Sequence, residues 1–272
     1  MPADPLSSEL DFAALSVPGR VRAHNEDAVL CRPDLGLWAV ADGMGGHQRG
    51  ELASSTALQA LEAALAEGLG LVEAVHAANA AVLAAGAADP AVQGMGTTLV
   101  AVRLQGEALE LAWVGDSRAY RVGSTGIEQL SHDHSWVQSL VDAGELSPSE
   151  ARSHPRRNVI LQCLGRDDQD LQVDSRSVPL AADELLLLCS DGLSGELEDA
   201  QILACCTQAR TLVGLVEALV ELANDQGGRD NISCIVLGRA STVTPAPPAP
   251  RAGLLRRLFG ARPTLSRNAG KP

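Results

Sequence analysis

Aromatic residues are scarce in this sequence: three Trp, two Phe and one Tyr make up 2% of its 272 residues. Apolar residues still reach 46%, so the core has to be filled by Ala, Leu and Val. The six cysteines, Cys31, Cys163, Cys189, Cys205, Cys206 and Cys234, include no CxxC pair and no spacing with histidine that suits zinc. Most lie in apolar runs and read as small core residues. Long hydrophobic runs are missing as well: the strongest, "ELLLLC", is far short of the ~18 residues of a membrane-crossing helix. The start "MPADPLSSELDF" has neither the basic nor the apolar region of a secretory leader. A reducing cytoplasm is the expected location. Positive charge is also in deficit, with 21 Lys and Arg against 34 Asp and Glu. Six of the basic residues and no acidic one fall in positions 241–272, which leaves residues 1–240 with 15 against 34. Such an acidic body repels a phosphate backbone, which argues against nucleic acid as a partner, and is compatible with divalent cations.

The stretch that stands out is Leu37 to Gly46, "LWAVADGMGG". An apolar, strand-forming run ends in a carboxylate and then in three glycines within four positions, a way of presenting an acidic side chain beside a backbone that turns sharply. Short strands are expected at "FAALSV", "DAVLCR" and "LWAVAD", separated by Pro-Gly and Pro-Asp-Leu-Gly turns. From Glu51 an Ala-rich segment with Leu52, Leu58, Leu61 and Leu65 takes on helical spacing, and a second helix is expected from about Leu71 to Ala85, the two forming an antiparallel pair across a sheet. "GMGTTLVAVRLQGEALELAWVGDSRAYRV" reads as a β-meander with an acidic turn at Gly115–Asp116. Residues 133–165 are polar, with a short helix near 135–143, and read as a flap leaving the core. "DELLLLCSDGL" repeats the pattern of strand, carboxylate and glycine; a helix from about Thr211 to Asp225 leads to "GGRDNISCIVLGR", with an acid at the start of the last strand. The expected organisation is an extension over 1–10, a domain over 11–240, a Pro/Ala linker over 241–250 and a basic tail over 251–272. If helical, the tail sets Leu254, Leu255, Leu258 and Phe259 opposite Arg256 and Arg257, a pattern suited to weak docking of residues 251–262 on an anionic membrane surface or a partner; a disordered tail is the alternative.

Asp42, Asp191 and Asp230 come from distant parts of the chain, and each sits at a strand end beside a glycine or a turn. Hard oxygen donors of this kind suit Mg²⁺ or Mn²⁺. Two such ions sharing a carboxylate lie about 3.5–4 Å apart and lower the pKa of a bound water from about 15.7 towards 7, making hydroxide available at neutral pH. Asp116 and the pair Glu26–Asp27 could hold a further ion or metal-bound waters.

Taken in order, "RVRAHNEDA", "VADGMGG", "GMGTTLVAV", "VGDSRAY", "DHS", "HPRRNVI", "CSDGL" and "GGRDNISCIVL" resemble the bacterial members of the PP2C-type, or PPM, metal-dependent protein serine/threonine phosphatases, over roughly residues 11–240. The resemblance implies an α+β fold, a four-layer αββα sandwich of two central antiparallel sheets flanked by helix pairs. It implies two Mn²⁺ or Mg²⁺ ions and a third, weaker one. Asp42 would bridge the pair, the Gly43 carbonyl would join one ion, Asp191 and Asp230 would complete the other, and Asp116 would bind the third. Glu26, Asp27 and Asn231 would surround the metals and their waters, and Arg22 would grip the phosphate with its planar guanidinium. The reaction implied is attack of metal-bound hydroxide on phosphoserine or phosphothreonine of a protein, opposing a Ser/Thr kinase. No covalent phosphoenzyme is needed, and no cysteine lies in a CxxxxxR loop. Met44 departs from the pattern, because eukaryotic members commonly have a histidine there that is a proposed general acid; His47 and His154 are the candidates to replace it, His154 also as a flap contact to substrate. Two other readings are a catalytically silent binding module, disfavoured by the intact Asp42, Asp191 and Asp230, and a hydrolase of small phosphate esters. Deleting residues 241–272 is expected to leave kcat on a phosphopeptide unchanged; a large loss would show that the tail belongs to the catalytic domain.

Overall fold

The computed structural model describes residues 10–239 except 47, 106–107, 125 and 168–169, so that the extension before residue 10, the linker, the basic tail and His47 lie outside the described residues. Strands β1 (Leu10–Val17), β2 (Asp27–Arg32) and β3 (Leu37–Met44) are followed by helices α1 (Gln48–Ala66) and α2 (Leu71–Ala88). Then come β4 (Gly96–Thr97), β5 (Leu99–Gln105), β6 (Ala108–Val114), β7 (Arg118–Gly123) and β8 (Gly126–Gln129). The flap contributes α3 (Trp136–Asp142) and α4 (Pro148–Ser153). The remainder is β9 (Asp174–Pro179), β10 (Leu185–Cys189), α5 (Asp191–Ser194), α6 (Asp199–Gln208), α7 (Leu212–Gln226) and β11 (Ile232–Arg239).

The strands form two sheets, ordered β1-β11-β10-β7-β8 and β2-β3-β5-β6-β9, with β4 paired to β3. Side chains on a strand alternate between faces, and here both faces are buried. In β3, Leu37, Ala39 and Ala41 pack towards α1 and α2, while Trp38 and Val40 pack towards the other sheet. In β10, Leu185, Leu187 and Cys189 face α5, α6 and α7, and Leu186 and Leu188 face the sheet interface. Burial on both sides explains why these strands read as unbroken apolar runs rather than alternating ones. The result is the expected four layers: α1 and α2, one sheet, the second sheet, then α6 and α7. With few rings available, Ala from helices and strands fills the narrow gaps, and the buried Trp38 sits between the sheets.

Several elements go beyond the sequence reading. β3 runs two residues past Asp42, because β4 supplies partners to Gly43 and Met44. α1 begins at Gln48 rather than Glu51, and α2 continues to Ala88. α4, β8, β9 and α6 were not anticipated; β9 is exposed except at Val178 and so lacks an apolar signature. α2 is also more apolar than any run singled out from the sequence: by length and mean hydropathy, 18 residues at 1.4, it could cross a bilayer. Here it is a core helix, with Leu71, Ala74, Val75, Ala78 and Val82 buried, packed against α1 and β6.

Leu187 is fully buried in a strand with neighbours on both sides. Leu187→Ala is expected to cost about 2–5 kcal/mol in urea unfolding, whereas Val213→Ala, at an exposed position of α7, should stay within about 0.5 kcal/mol.

Candidate active site

Antiparallel pairing gathers the acidic strand ends at one end of the sandwich. Asp27, at the start of β2, is the register partner of Asp42 near the end of β3. Leu99, which opens β5 beside the Asp42 end of β3, pairs with Val114 at the end of β6, so Asp116 follows at the same end. Arg118, just after it, pairs with Cys189, which brings up Asp191; Cys189 pairs with Cys234 near the start of β11, which brings up Asp230. Asp27 and Asp42 therefore come from one sheet, Asp191 and Asp230 from the other, and Asp116 from the turn that passes between them.

A hydrogen-bond scaffold fixes these turns. The Asp42 N–H donates to Thr98 Oγ1 (3.1 Å), which shares a hydrogen bond with Ser117 Oγ (2.7 Å), and the Asp42 carbonyl accepts from Thr97 Oγ1 and the Thr98 N–H. Ser190 Oγ donates to Asp27 Oδ2 (2.7 Å) and accepts from the Ser233 N–H (3.0 Å). Asn231 Oδ1 accepts from the Glu26 N–H, while its Nδ2 donates to the carbonyls of Pro18 and His24. One buried amide thus holds the loop that carries Arg22 and Glu26 against Asp230. On the far side of the Asp116 turn, Asp133 takes both Arg118 Nε and Nη2, and the His134 N–H donates to the Gly115 carbonyl.

Close backbone approach is the second requirement. A Cβ on Gly43 would collide with the Gly50 carbonyl at the start of α1, and one on Gly192 would collide with the Asn231 carbonyl. The glycines after Asp42 and Asp191 are therefore needed because backbones meet there. This is a different reason from the turn flexibility read in the sequence, and it applies at non-left-handed positions.

The electrostatics follow from crowding. Burial, with the charges of Asp27, Asp191, Asp116 and Asp230 added, holds the Asp42 carboxyl well above the usual carboxylate range. Burial and then Asp191 and Asp133 do the same for Asp116. Burial pushes Asp27 up to about 7 against the hydrogen bonds from Ser233 and Ser190. Burial and Asp230 push Asp191 up to about 6, opposed by a hydrogen bond from Asp42. Asp230 is drawn to Arg22, whose Nη2 lies 2.7 Å from Oδ2. The Arg22 guanidinium is raised by that hydrogen bond and charge, with smaller contributions from Glu26 and Asp191.

Among the described residues, no three Asp, Glu, His or Cys side chains already enclose a common ion, and Asp230 is turned to Arg22. The donor set nevertheless fits hard divalent cations. It is all oxygen, and Asp27 Oδ1 and Asp116 Oδ1 are buried without a hydrogen-bond partner among the described residues. Asp116 and Asp191 also line a cavity of about 720 Å³ that runs beneath the flap. His154 does not line it: its Nδ1 accepts from the Arg156 N–H (3.0 Å) and its ring lies 5.1 Å from Trp136. Sequence reasoning missed Thr98, Ser117, Ser190 and Asp133, whose roles depend on partners 15 or more residues away. The only signal for them was membership of the same short motifs.

Raised pKa values fix the sign of a pH effect. In the unfolded chain Asp27 and Asp191 ionise near 3.9, in the fold near 7 and 6. Their stabilising contribution is full below about pH 4 and is lost as the pH rises through about 6 to 7. In the presence of a chelator, Tm should fall across that window, and less steeply for Asp27→Asn. Excess Mn²⁺ should raise Tm more at about pH 8 than at about pH 5, because ions and protons compete for the same oxygens. A Tm increment that is the same at both pH values would contradict this assignment.

A family model described as protein phosphatase 2C matches residues 20–236. The serine/threonine protein phosphatase PstP of Mycobacterium tuberculosis is 39% identical over 233 residues, which is 84% of this chain but 44% of PstP, so the chain spans less than half of that relative. The serine/threonine phosphatase stp of Listeria innocua is 36% identical over 234 residues, 81% of this chain and 92% of its own length. Among solved structures, the catalytic domain of PstP in complex with two manganese ions matches with a TM-score of 0.75 at 37% identity, covering 85% of this chain and 98% of that one. Two facing antiparallel sheets whose acidic ends converge, and a match running through all of them, lead to one conclusion: the chain belongs to the protein phosphatase 2C family.

Proposed function

We propose that this chain is a Mn²⁺- or Mg²⁺-dependent phosphatase for phosphoserine and phosphothreonine in proteins. The observation that supports this best is the convergence of Asp27, Asp42, Asp116, Asp191 and Asp230 from both sheets beside a surface arginine, at the edge of an open cavity. In this reading Asp42, Asp191 and Asp230, with the Gly43 carbonyl, would hold two ions, and Asp116 would hold a third. Bound, the ions neutralise the carboxylates, polarise the phosphoryl group and make water a competent nucleophile at neutral pH.

The protein's own groups do the remaining work. Arg22 is half exposed and makes one hydrogen bond to Asp230, so its remaining N–H groups can take phosphate oxygens and orient the ester. Glu26 and Asp27 would hold water at the site by accepting its hydrogen bonds, and Ser190 fixes which Asp27 oxygen is left to do so. Thr98 and Asn231 hold Asp42 and the Arg22 loop in place. Met44 has no proton to give. His132, which lines the cavity, is bonded through Nε2 to Asp142, and His154 is turned to Arg156 and Trp136. His47, the other candidate, lies outside the described residues, and solvent in the open cavity is the alternative proton source for the leaving oxygen. The natural counterpart is a Ser/Thr kinase acting on the same proteins, and a reducing cytoplasm suits six cysteines that form no disulfide among the described residues.

Asp42→Asn is expected to abolish Mn²⁺-dependent phosphate release from a phosphothreonine peptide, by at least about 10³-fold, and excess chelator should do the same to the unaltered chain. Retention of more than a tenth of the activity by Asp42→Asn would refute the bridging role.

A further inference from the structure

The turn that carries Asp116 is clamped from two sides. On one side Gly115, at φ 104°, leaves no room for a Cβ, which would meet the Thr98 side chain at 2.7 Å. On the other side lies the segment 132–134. Trp113 Nε1–H donates to the His132 carbonyl (2.8 Å), the His134 N–H donates to the Gly115 carbonyl (2.9 Å), and the Gly115 N–H donates back to His134 Nδ1 (3.3 Å). Both backbone polar groups of Gly115 are therefore held by one residue. An imidazole nitrogen that accepts carries no hydrogen, so the ring hydrogen is on Nε2, which lies 3.4 Å from Asp174 Oδ2 at the start of β9. Asp174 is the register partner of Trp113, so β6 and β9 support both the turn and the ring. The His134 side chain is only 12% exposed, which keeps water from substituting for its contacts.

We infer that His134 is a positioning residue for Asp116: by holding the Gly115 peptide groups with its ring and its own backbone, it fixes the turn in which the Asp116 carboxylate ligates the third ion. This rests on the phosphatase reading above, with Asp116 as the residue for that ion. Asp116 is buried, and its Oδ1 has no hydrogen-bond partner among the described residues, so its aim is set through the backbone on either side. On the far side of it, Ser117 shares a hydrogen bond with Thr98 and Arg118 is held by Asp133. On the near side stands Gly115, which has no side chain to anchor, so the anchor has to come from another residue. Without the Nδ1 acceptor a buried peptide N–H is left unpaired, and the turn relaxes to satisfy it. Groups behind a metal ligand typically change ion affinity by about 10- to 100-fold. The effect is confined to one ion, because Asp42 is anchored through Thr97 and Thr98 and Asp27 through Ser190.

The test uses full-length chain and Mn²⁺, with the variants His134→Asn, His134→Gln and Asp116→Asn. Asparagine places its amide oxygen where Nδ1 is and glutamine places its amide group where Nε2 is, so only asparagine keeps the acceptor for Gly115. Mn²⁺ binding is measured by titration calorimetry without substrate, the Mn²⁺ concentration at half-maximal phosphopeptide hydrolysis is read beside it, and the urea midpoint records the fold. Asp116→Asn identifies the class of bound ion that depends on Asp116. His134→Gln should weaken that class by about tenfold or more and leave the tighter class unchanged, whereas His134→Asn should stay within about threefold of the unaltered chain. Glutamine comes nearer to imidazole in size, so a role in packing alone gives the reverse order, with the larger loss of urea midpoint and ion affinity in His134→Asn. That reverse order, or equal Mn²⁺ affinity in the two variants, overturns the role of His134 while the phosphatase reading stands. If Asp116→Asn binds Mn²⁺ as the unaltered chain does, Asp116 holds no ion and the role of His134 falls with it. A chain that neither binds Mn²⁺ nor hydrolyses a phosphopeptide overturns the phosphatase reading as well.

Discussion

Mutual repulsion among five aspartates is the constraint that the rest of the molecule has to satisfy. Left to themselves, the five aspartates would separate or take up protons; burial first, and neighbouring carboxylates second, raise the ionisation of Asp27, Asp42, Asp116 and Asp191. What holds them is geometry supplied from behind. Strands buried on both faces cannot slip by one residue without exposing an apolar face to polar surroundings, so the register that sets Asp27 opposite Asp42 and Arg118 opposite Cys189 is rigid. The hydroxyls of Thr98, Ser117 and Ser190 and the amide of Asn231 then fix the turns beyond the strand ends. Stability is given up at this end to keep a binding site for cations ready, a trade commonly seen at functional sites.

The strands were legible wherever they are apolar, because "LWAVAD" and "LLLLC" are buried on two sides and leave no ambiguity about being core. β9 and α4 were not, for the opposite reason: β9 is an edge strand with one buried side chain, and α4 is a six-residue helix held by a capping box at Ser147 and Glu150 rather than by an apolar stripe. At the site, the acids could be read because Asp-Gly after an apolar run is a local pattern. The groups that orient them could not. Ser190 reaches Asp27 across 163 positions and Asn231 reaches His24 across 207, distances over which one sequence carries no pairing information. His154 shows the same limit from the other side. Its place in a polar flap suggested chemistry, whereas its contacts in the structure are with Trp136 and Arg156 and it does not line the cavity.

Body and flap divide the work between them. The body presents groups whose positions are set by several strands at once. The flap is attached through short contacts: the Arg152 hydrogen bond, the ring contacts of Trp136, and a two-residue ladder in which the Trp136 N–H donates to Val159 O and the Leu161 N–H to His134 O. Its two ends are tied to the body, at Asp133, which holds Arg118 beside the Asp116 turn, and at Leu164, which is buried in the core, so only the residues between them can vary without disturbing the acidic centre.

Because Asp27 and Asp42 belong to one sheet and Asp191 and Asp230 to the other, an ion held between the two pairs is also an adhesive across the seam of the sandwich. Reciprocity then requires that whatever shifts the sheets against each other changes ion affinity, and that ion occupancy resists such a shift to the same degree. The inter-sheet layer around Trp38, Val40, Leu186, Leu188 and Ile235 is in this sense as much a determinant of metal affinity as the carboxylates, although none of its side chains can touch an ion.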